Sequence, residues 1–280
     1  METAAGRSYG LDIFLLPAAT LAAHRREPIH MIIFRRIAFA TLAAPLALSL
    51  AACGSEEAQT GEIAATEPIE EVAAPQGQAW TDVVTVTPED GYLLGNPDAP
   101  IRVVEYASLT CPACAAFAGN GAQQLKEEYV SSGRVSFELR NQVHNGIDLV
   151  LAALVRCGED QTFHPLSAEV WANLNELMNG AQANPQALQA AMELPEEQRF
   201  FAVAEAANLV DFFAARGLSV DQQRTCLANV DEVTAIAERS DTQSSELGIE
   251  GTPTFLVNGN KIDTNSWAGL EPVLQRAGAR

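Results

Sequence analysis

The fold of this chain is decided by the stretch Val104-Glu105-Tyr106-Ala107-Ser108-Leu109-Thr110-Cys111-Pro112-Ala113-Cys114. It begins inside the apolar run 101–107, which predicts a strand, and it leads into residues 115–129, which have a helical pattern. The first cysteine therefore lies at a helix N-terminus, where unpaired N–H groups and the helix dipole stabilise a thiolate. This arrangement favours a dithiol–disulfide redox site. Half of a zinc site, or two cysteines with no common task, are the alternatives.

Composition argues against two classes of partner. The chain has 280 residues, of which 36 are acidic and 17 are basic, so its net charge is −19. This excess of negative charge disfavours nucleic acid and anionic lipid as partners. The length is sufficient for one or two domains with a substantial core.

An export signal is indicated upstream of the globular part. Two arginines precede the apolar run 37–52, and the run ends in Leu50-Ala51-Ala52-Cys53. A basic start, an apolar middle and small residues before a cut are the parts of a secretory signal, and the last four residues resemble a bacterial lipobox. The resemblance implies a lipoprotein signal peptide over residues 31–53 and lipidation of Cys53. An uncut anchor is the alternative, although a membrane span needs roughly 20 residues.

The remaining N-terminal segments carry no fold of their own. Residues 1–30 are interpreted as a mis-started or extended N-terminal segment. Residues 54–79 are rich in Glu, Ala, Gln and Pro and predict a disordered acidic linker. Order is expected to begin near Trp80.

The ordered part alternates strands and helices. Strands are predicted at 83–86, 92–94, 101–107, 134–140 and 254–257, and Asn258-Gly259 predicts a hairpin turn. Between residues 146 and 247 the pattern is helical, with helices predicted at 147–157, 166–178, 185–192, 196–213 and 220–237. A closing helix is predicted at 267–276. The sequence thus predicts an α/β domain formed by residues 80–145 and 248–280, interrupted by a helical insertion at 146–247.

Three separated motifs identify a family resemblance. They are Gly95-Asn96-Pro97-Asp98-Ala99-Pro100, the stretch 104–114, and Gly251-Thr252-Pro253-Thr254-Phe255. In this order they resemble the DsbA-like thiol–disulfide oxidoreductases of bacterial envelopes. The resemblance covers the chain from about Gly91 to its end, and it implies a thioredoxin-like fold with an inserted α-helical domain.

The resemblance also implies roles for individual residues. Cys111 is the exposed attacking thiol, and Cys114 is the buried resolving thiol that closes or opens the mixed disulfide. Pro253 corresponds to the family's cis-proline, and it presents the backbone of Thr252 to an extended substrate. Pro112 and Ala113 complete the substrate-facing surface. An ordinary trans turn is the alternative for Pro253.

Glu105 lies on the strand that leads to the cysteines. Its neighbours are apolar, and its place matches the buried acid of thioredoxin-like families, so it is expected to exchange a proton with Cys114 directly or through water. A partly exposed strand glutamate is the alternative.

One departure from the family pattern bears on the direction of the reaction. Strongly oxidising relatives carry histidine where this chain has Ala113, and alanine cannot stabilise the Cys111 thiolate. A reduction potential between those of thioredoxin and DsbA, roughly −270 to −120 mV, is therefore expected.

The remaining cysteines form an even pair. Cys157 and Cys226 both lie in the helical insertion, and in an oxidising compartment they predict a structural disulfide; two separate buried thiols are the alternative. No metal site and no cofactor are expected. His144 and His164 are interpreted as surface or packing residues.

These observations lead to a function hypothesis with alternatives. The chain is expected to exchange disulfides with cysteine-containing exported proteins. It would face the periplasm in the bacterial envelope, anchored to a membrane by lipid and served by a membrane redox partner, either a quinone-linked oxidase or a membrane reductase. A reductase or isomerase with few clients is the first alternative. A non-catalytic lipoprotein that binds clients through the same groove is the second.

Overall fold

The structure, a computed structural model, describes residues 59–60 and 63–280. The strands of this part form one mixed sheet. They are β1 (Gln59–Thr60), β2 (Val84–Val86), β3 (Tyr92–Leu94), β4 (Ile101–Ala107), β5 (Val135–Asn141), β6 (Thr254–Val257) and β7 (Asn260–Ile262).

Their order across the sheet is β1-β7-β6-β4-β5-β3-β2. Strands β4 and β5 are parallel neighbours at the centre, and β6 pairs antiparallel to β4 on the other side. The β6–β7 hairpin turns at Asn258 and Gly259, which both have positive φ, the backbone that two-residue hairpin loops require. The sheet therefore brings the end of β4, which precedes the cysteines, beside the start of β6.

Helices cover the sheet and form the insertion. They are α1 (Pro112–Asn120), α2 (Ala122–Gln124), α3 (Gly146–Val155), α4 (Phe163–Ala172), α5 (Leu174–Ala183), α6 (Pro185–Met192), α7 (Glu196–Ala206), α8 (Leu209–Ala214), α9 (Val220–Ala228), α10 (Val230–Leu247) and α11 (Trp267–Arg276). Among the residues that the structure describes, no helix combines the length and the apolar character that a membrane crossing requires.

Several predicted helices are shorter than the periodicity suggests. The helix predicted at 115–129 ends at Gly121 and resumes as α2 and a π-helical turn, Leu125–Val130. A Cβ at Gly121 would lie 2.4 Å from Cβ of Trp267, so α11 packs directly against the break. Breaks at Asn173, Asn208 and Asn229 divide three more of the predicted helices.

The central strand β4 is buried on both faces. Val103 and Ala107 join the main core beneath α1, whereas Val104 and Tyr106 pack on the opposite face. Because side chains alternate along a strand, Glu105 points to the same side as Val103 and Ala107, towards α1.

Residues 63–79 differ from the expected disordered linker. The N–H of Thr66 donates to O of Arg276, that of Ile69 to O of Gly278 and that of Val72 to O of Ser132, each at 2.9 Å. Ile63 and Ile69 pack against the core. Although the composition is polar, these apolar residues and the backbone bonds hold the segment along α11.

Candidate active site

The two cysteines lie at the N-terminus of α1. Cys111 is the N-cap residue with an extended backbone, and Pro112 begins the helix, a position where its missing N–H removes no bond. Cys111 is partly exposed, whereas Cys114 is fully buried, and both are free thiols. The geometry therefore presents one sulfur to solvent and keeps the other beneath the helix.

The exposed thiol is the more acidic of the two. Burial raises the pKa of Cys111, but hydrogen bonding with Thr252, Cys114 and the backbone of Ala113 outweighs it, so the pKa is below its ordinary value. The Thr252 contact comes from the cis-proline loop, whereas those with Ala113 and Cys114 belong to the N-terminus of α1, where the amide dipoles favour an anion. Cys111 consequently has the properties of the attacking thiolate.

The inner thiol has the opposite tendency. Burial and the nearby Glu105 carboxylate raise the pKa of Cys114 well above its ordinary value. A thiol of this kind keeps its proton until it is expelled from a disulfide, and it then needs a proton promptly.

Glu105 is a buried acid without a hydrogen-bond partner. Its side chain is 1% exposed, and neither carboxylate oxygen has a protein partner. Burial raises its pKa from 4.5 to about 8, opposed by the Lys126 cation. At neutral pH Glu105 is therefore largely protonated, close to the pH range in which it can both give and take a proton.

A cavity of about 250 Å³ lies under α1 and in front of Glu105. Its polar lining includes Glu105, Lys126 and His164, and Gln123 and Glu127 lie towards its mouth. Burial and the Lys126 cation lower the pKa of His164 to about 3, so this ring is neutral; its Nε2 lies 2.9 Å from O of Tyr92. The cavity is large enough and polar enough to hold water beside an otherwise unsatisfied carboxyl group.

The cis-proline loop faces the exposed cysteine. The Thr252–Pro253 peptide bond is cis, and Sγ of Cys111 lies 3.3 Å from O of Thr252. The sequence-predicted residues Cys111, Cys114, Glu105, Thr252 and Pro253 are thus brought together from both halves of the divided domain.

An open groove of about 1170 Å³ continues from this loop. It is lined by the loop itself, by β7 and by α11, and polar side chains such as Glu250, Lys261, Asp263 and Arg276 dominate its rim. Ile63 of the N-terminal segment also lines it. An extended peptide laid beside Thr252 would continue into this groove.

Two residues of the site escaped the sequence reasoning. Nε2 of His144 lies 3.5 Å from Oγ1 of Thr252. The buried Asp148 accepts from the N–H of His144 at 2.8 Å and from the N–H of Leu109 at 2.9 Å. Neither residue belongs to a motif that includes the cysteines. The contact of His144 joins it to Thr252, 108 residues away, and the contact of Asp148 joins it to Leu109, 39 residues away.

The positions of the remaining predicted residues differ. Cys157 and Cys226 form a disulfide with a Cα–Cα distance of 5.8 Å, joining the end of α3 to α9. Pro112 and Ala113 lie in the first turn of α1. Cys53 and the signal segment lie outside the described residues. Within the described part, no cluster of three His, Cys, Asp or Glu residues is arranged for a metal ion.

Comparison with known proteins agrees with this geometry. A family model described as Thioredoxin matches residues 87–276. A Novosphingobium aromaticivorans structure, solved as a protein-disulfide isomerase, is 30% identical with a TM-score of 0.62; the match covers 66% of this chain and 96% of that one. The structure of Wolbachia pipientis alpha-DsbA1 shares the fold at 21% identity and a TM-score of 0.55, over 69% of this chain and 92% of that one.

A Rickettsia bellii protein named provisionally as a protein-disulfide oxidoreductase is 24% identical over 68% of this chain. The match covers 65% of that protein, so the chain spans slightly less than two thirds of its length. The family model covers well over half of the chain, and the structural match extends over nearly all of the Novosphingobium protein. The chain therefore belongs to the thioredoxin family and has the DsbA-like form of its fold, with a helical insertion between the two halves.

Proposed function

We propose that this protein is a thiol–disulfide oxidoreductase that exchanges disulfides with cysteines of exported proteins. One observation carries the proposal: an exposed cysteine of lowered pKa stands at a helix N-terminus, three residues before a buried cysteine of raised pKa. This asymmetry gives each sulfur a different role in exchange.

In the oxidising direction, a substrate thiolate attacks Sγ of Cys111 and the Cys111–Cys114 bond breaks. Cys114 leaves as a thiolate and takes up a proton. The second substrate thiolate then attacks the substrate sulfur of the mixed disulfide and expels Cys111 as a thiolate. The substrate has lost two electrons and gained a disulfide, and the enzyme holds a dithiol. The reducing direction is the same sequence reversed.

Glu105 is the proton donor and acceptor for Cys114 in this scheme. Its carboxyl group is largely protonated at neutral pH and faces a cavity that Lys126 and His164 also line. Water in the cavity would connect the acid to solvent, since a carboxyl group without protein partners needs such contacts. The carboxyl group thus supplies the proton that the departing Cys114 sulfur requires.

The substrate would bind through its main chain. O of Thr252 lies 3.3 Å from Sγ of Cys111, and the cis-proline loop can pair with an extended peptide without reading its side chains. Pro112 and Ala113 offer a small, uncharged surface on the other side of the sulfur. The polar rim of the groove favours flexible, hydrophilic segments of partly folded proteins.

A trapping experiment tests the function. In Cys114→Ser, the Cys111 thiolate can attack a disulfide of an unfolded, disulfide-scrambled substrate and expel one substrate thiolate. Cys114 is then absent and cannot resolve the mixed disulfide, so disulfide-linked adducts should accumulate. Cys111→Ser should yield none, and the wild type only transient ones. If Cys114→Ser forms no adduct under conditions in which a thioredoxin does, the proposal is wrong.

Two assays decide the direction of transfer. Oxidative refolding of a reduced substrate measures the oxidase, and insulin reduction measures the reductase or isomerase. The Novosphingobium structure is described as a protein-disulfide isomerase, which is a reason to measure the reductase or isomerase activity as well. Lack of both activities, with client binding retained after Cys111→Ser, would support the binding lipoprotein instead.

We place the protein in the bacterial envelope, anchored through Cys53 and facing the periplasm. The lipobox-like segment and the kinship with disulfide-exchange proteins support this location. The redox partner would be a quinone-linked oxidase or a membrane reductase. Radiolabelled palmitate incorporated by the wild type but not by Cys53→Ser would support the anchor, and equal labelling of both would reject it.

A further inference from the structure

His144 reaches the active site from the loop between β5 and α3. Its Nε2 lies 3.5 Å from Oγ1 of Thr252, and the main chain of Thr252 is in turn 3.3 Å from Sγ of Cys111. The side chain of Thr252 is among the groups that favour the Cys111 thiolate. The imidazole therefore contacts the hydroxyl group of the residue whose main-chain oxygen contacts the reactive sulfur.

The position of His144 is fixed by the backbone around it. The carboxylate of Asp148 accepts from the N–H of His144 at 2.8 Å and from the N–H of Leu109 at 2.9 Å, two residues before the reactive cysteine. Nδ2 of Asn145 lies 3.2 Å from Oγ1 of Thr110. These contacts fasten the histidine loop to the loop that precedes Cys111, although the imidazole itself is exposed.

We propose that His144 is a positioning residue that acts on Cys111 through Thr252. When the imidazole is protonated, its Nε2–H donates to Oγ1 of Thr252. The hydroxyl group is then free to donate its own hydrogen to Sγ of the Cys111 thiolate. A protonated His144 therefore stabilises the reduced enzyme and makes the site a stronger oxidant. The inference rests on the proposed function, because it concerns the same exchange reaction.

This assignment addresses the missing histidine at position 113. Strong oxidants of the resembling family place an imidazole between the two cysteines, where this chain has alanine. Here the imidazole comes from His144, 31 residues after Ala113, and its Nε2 lies 3.5 Å from Oγ1 of Thr252. From Ala113 the potential is expected to lie between those of thioredoxin and DsbA, and a protonated His144 would raise it.

Charged groups lie on every element that neighbours His144. Asp148 lies in α3, and Cys111 is the N-cap residue of α1. The cis-proline loop carries Glu250, two residues before Thr252. Helix α10 packs behind the histidine loop through Ser240, which accepts from the N–H of Val143 at 2.9 Å, and it carries Arg239 and Asp241 on either side of that serine. These charged residues are not substituted in the test.

The test is the equilibrium of the Cys111–Cys114 pair with glutathione, measured between about pH 5.5 and pH 8.5, where histidine changes its charge. At about pH 6, the ratio [GSH]²/[GSSG] that half-reduces the enzyme should be threefold to tenfold higher for His144→Gln and His144→Ala than for the wild type. This shift corresponds to a potential about 14 to 30 mV lower. Near pH 8.5 the three proteins should coincide.

A second background separates this relay from a merely structural effect. In Thr252→Val the hydroxyl link is absent, so adding His144→Ala should change the ratio no further, whereas Thr252→Ser should restore the sensitivity to His144. Unchanged ratios at about pH 6, or an equal effect of His144→Ala in the Thr252→Val background, would overturn the proposal. Failure of the wild type itself to equilibrate with glutathione would instead refute the proposed function.

Discussion

Replacing Glu105 by glutamine tests the electrostatics of the site directly, because the substitution keeps the shape of the side chain and removes its ionisation. The carboxyl group ionises near pH 4.5 in the unfolded chain and at about 8 in the folded one. Between these values the unfolded state binds fewer protons, so the free energy of unfolding falls as the pH rises, by up to about 1.4 kcal/mol for each pH unit. Through Glu105 alone, the protein should lose about 3 kcal/mol of stability between pH 5 and pH 8.

Glu105→Gln should not show this loss. Urea unfolding of the reduced wild type and the reduced variant, each at pH 5 and at pH 8, gives the four free energies needed. The contribution of thiol titration is nearly the same in both proteins and cancels when their free energies are subtracted. The difference between variant and wild type should grow by about 3 kcal/mol from pH 5 to pH 8, in favour of the variant. Glu246→Gln, which changes an exposed carboxylate, should stay within about 0.5 kcal/mol of the wild type at both values.

The same variant has a kinetic signature. Without the carboxyl proton, the release of Cys114 from a disulfide should slow by about a hundredfold, the lower end of the range of general acid catalysis. Stopped-flow fluorescence with a thiol substrate would measure this step. A stability difference that changes by less than about 1 kcal/mol between pH 5 and pH 8 would show that Glu105 is solvated and ionised like an ordinary glutamate, and the proton-transfer role would lose its basis.

Three further predictions concern other parts of the molecule. Lys126→Met removes the cation that lowers the pKa of Glu105, so that pKa should rise above about 8. The infrared band of the protonated carboxyl group, followed against pH, gives the midpoint. A midpoint below that of the wild type would contradict the prediction. Joint replacement of Cys157 and Cys226 by alanine opens a loop of 69 residues. It should reduce the free energy of urea unfolding by about 4 kcal/mol and leave thiol exchange intact. A loss below about 1 kcal/mol would mean that the disulfide hardly constrains the unfolded chain. Gly121→Ala places a Cβ 2.4 Å from a tryptophan side chain and should lower stability by about 1 to 3 kcal/mol, whereas Gly119→Ala meets nothing within 4 Å and should not.

The sequence predicted the elements of the fold that have a local cause. The order of strands, cysteines and helices follows from apolar periodicity, and the β6–β7 turn follows from Asn258-Gly259, which tolerate positive φ. Helix ends were harder to predict. Asn173, Asn208 and Asn229 are only mildly unfavourable within a helix, so their presence alone does not predict that the backbone breaks there. The polar composition of residues 63–79 concealed Ile63 and Ile69, which hold that segment to α11.

The site residues also fall into two groups, those that the sequence predicts and those that only the folded structure reveals. Cys111, Cys114, Glu105 and Pro253 lie in motifs that can be read along the chain. His144 and Asp148 do not, because their contacts depend on how the insertion leaves the sheet after β5. The hydrogen bonds of Asp148 to two loops exist only in the folded state. The sequence pattern shows Asp148 only as a polar residue near the start of a helix. It does not indicate that the carboxylate also accepts a hydrogen bond from the loop before Cys111.

The two thiols have largely different neighbours. Glu105 acts on Cys114 and Lys126 acts on Glu105, whereas His144 acts on Cys111 through Thr252, a residue that also lowers the pKa of Cys114. A group that stabilises the Cys111 thiolate changes the reduction potential, because the thiolate exists only in the reduced enzyme. A group that supplies a proton to Cys114 mainly changes the rate at which disulfides open.

The effects of His144→Gln on the potential and of Glu105→Gln on the opening rate should therefore combine without interaction in the double variant. Additivity within about 0.5 kcal/mol is expected of sites that share no partner. Here Glu105 and His144 are linked only through the two cysteines and Thr252. A coupling larger than about 1 kcal/mol in either measurement would mean that protonation at the rim reaches the buried carboxyl group. The direction of electron flow and the speed of exchange would then be set by one connected network, and Ala113 could not be considered apart from it.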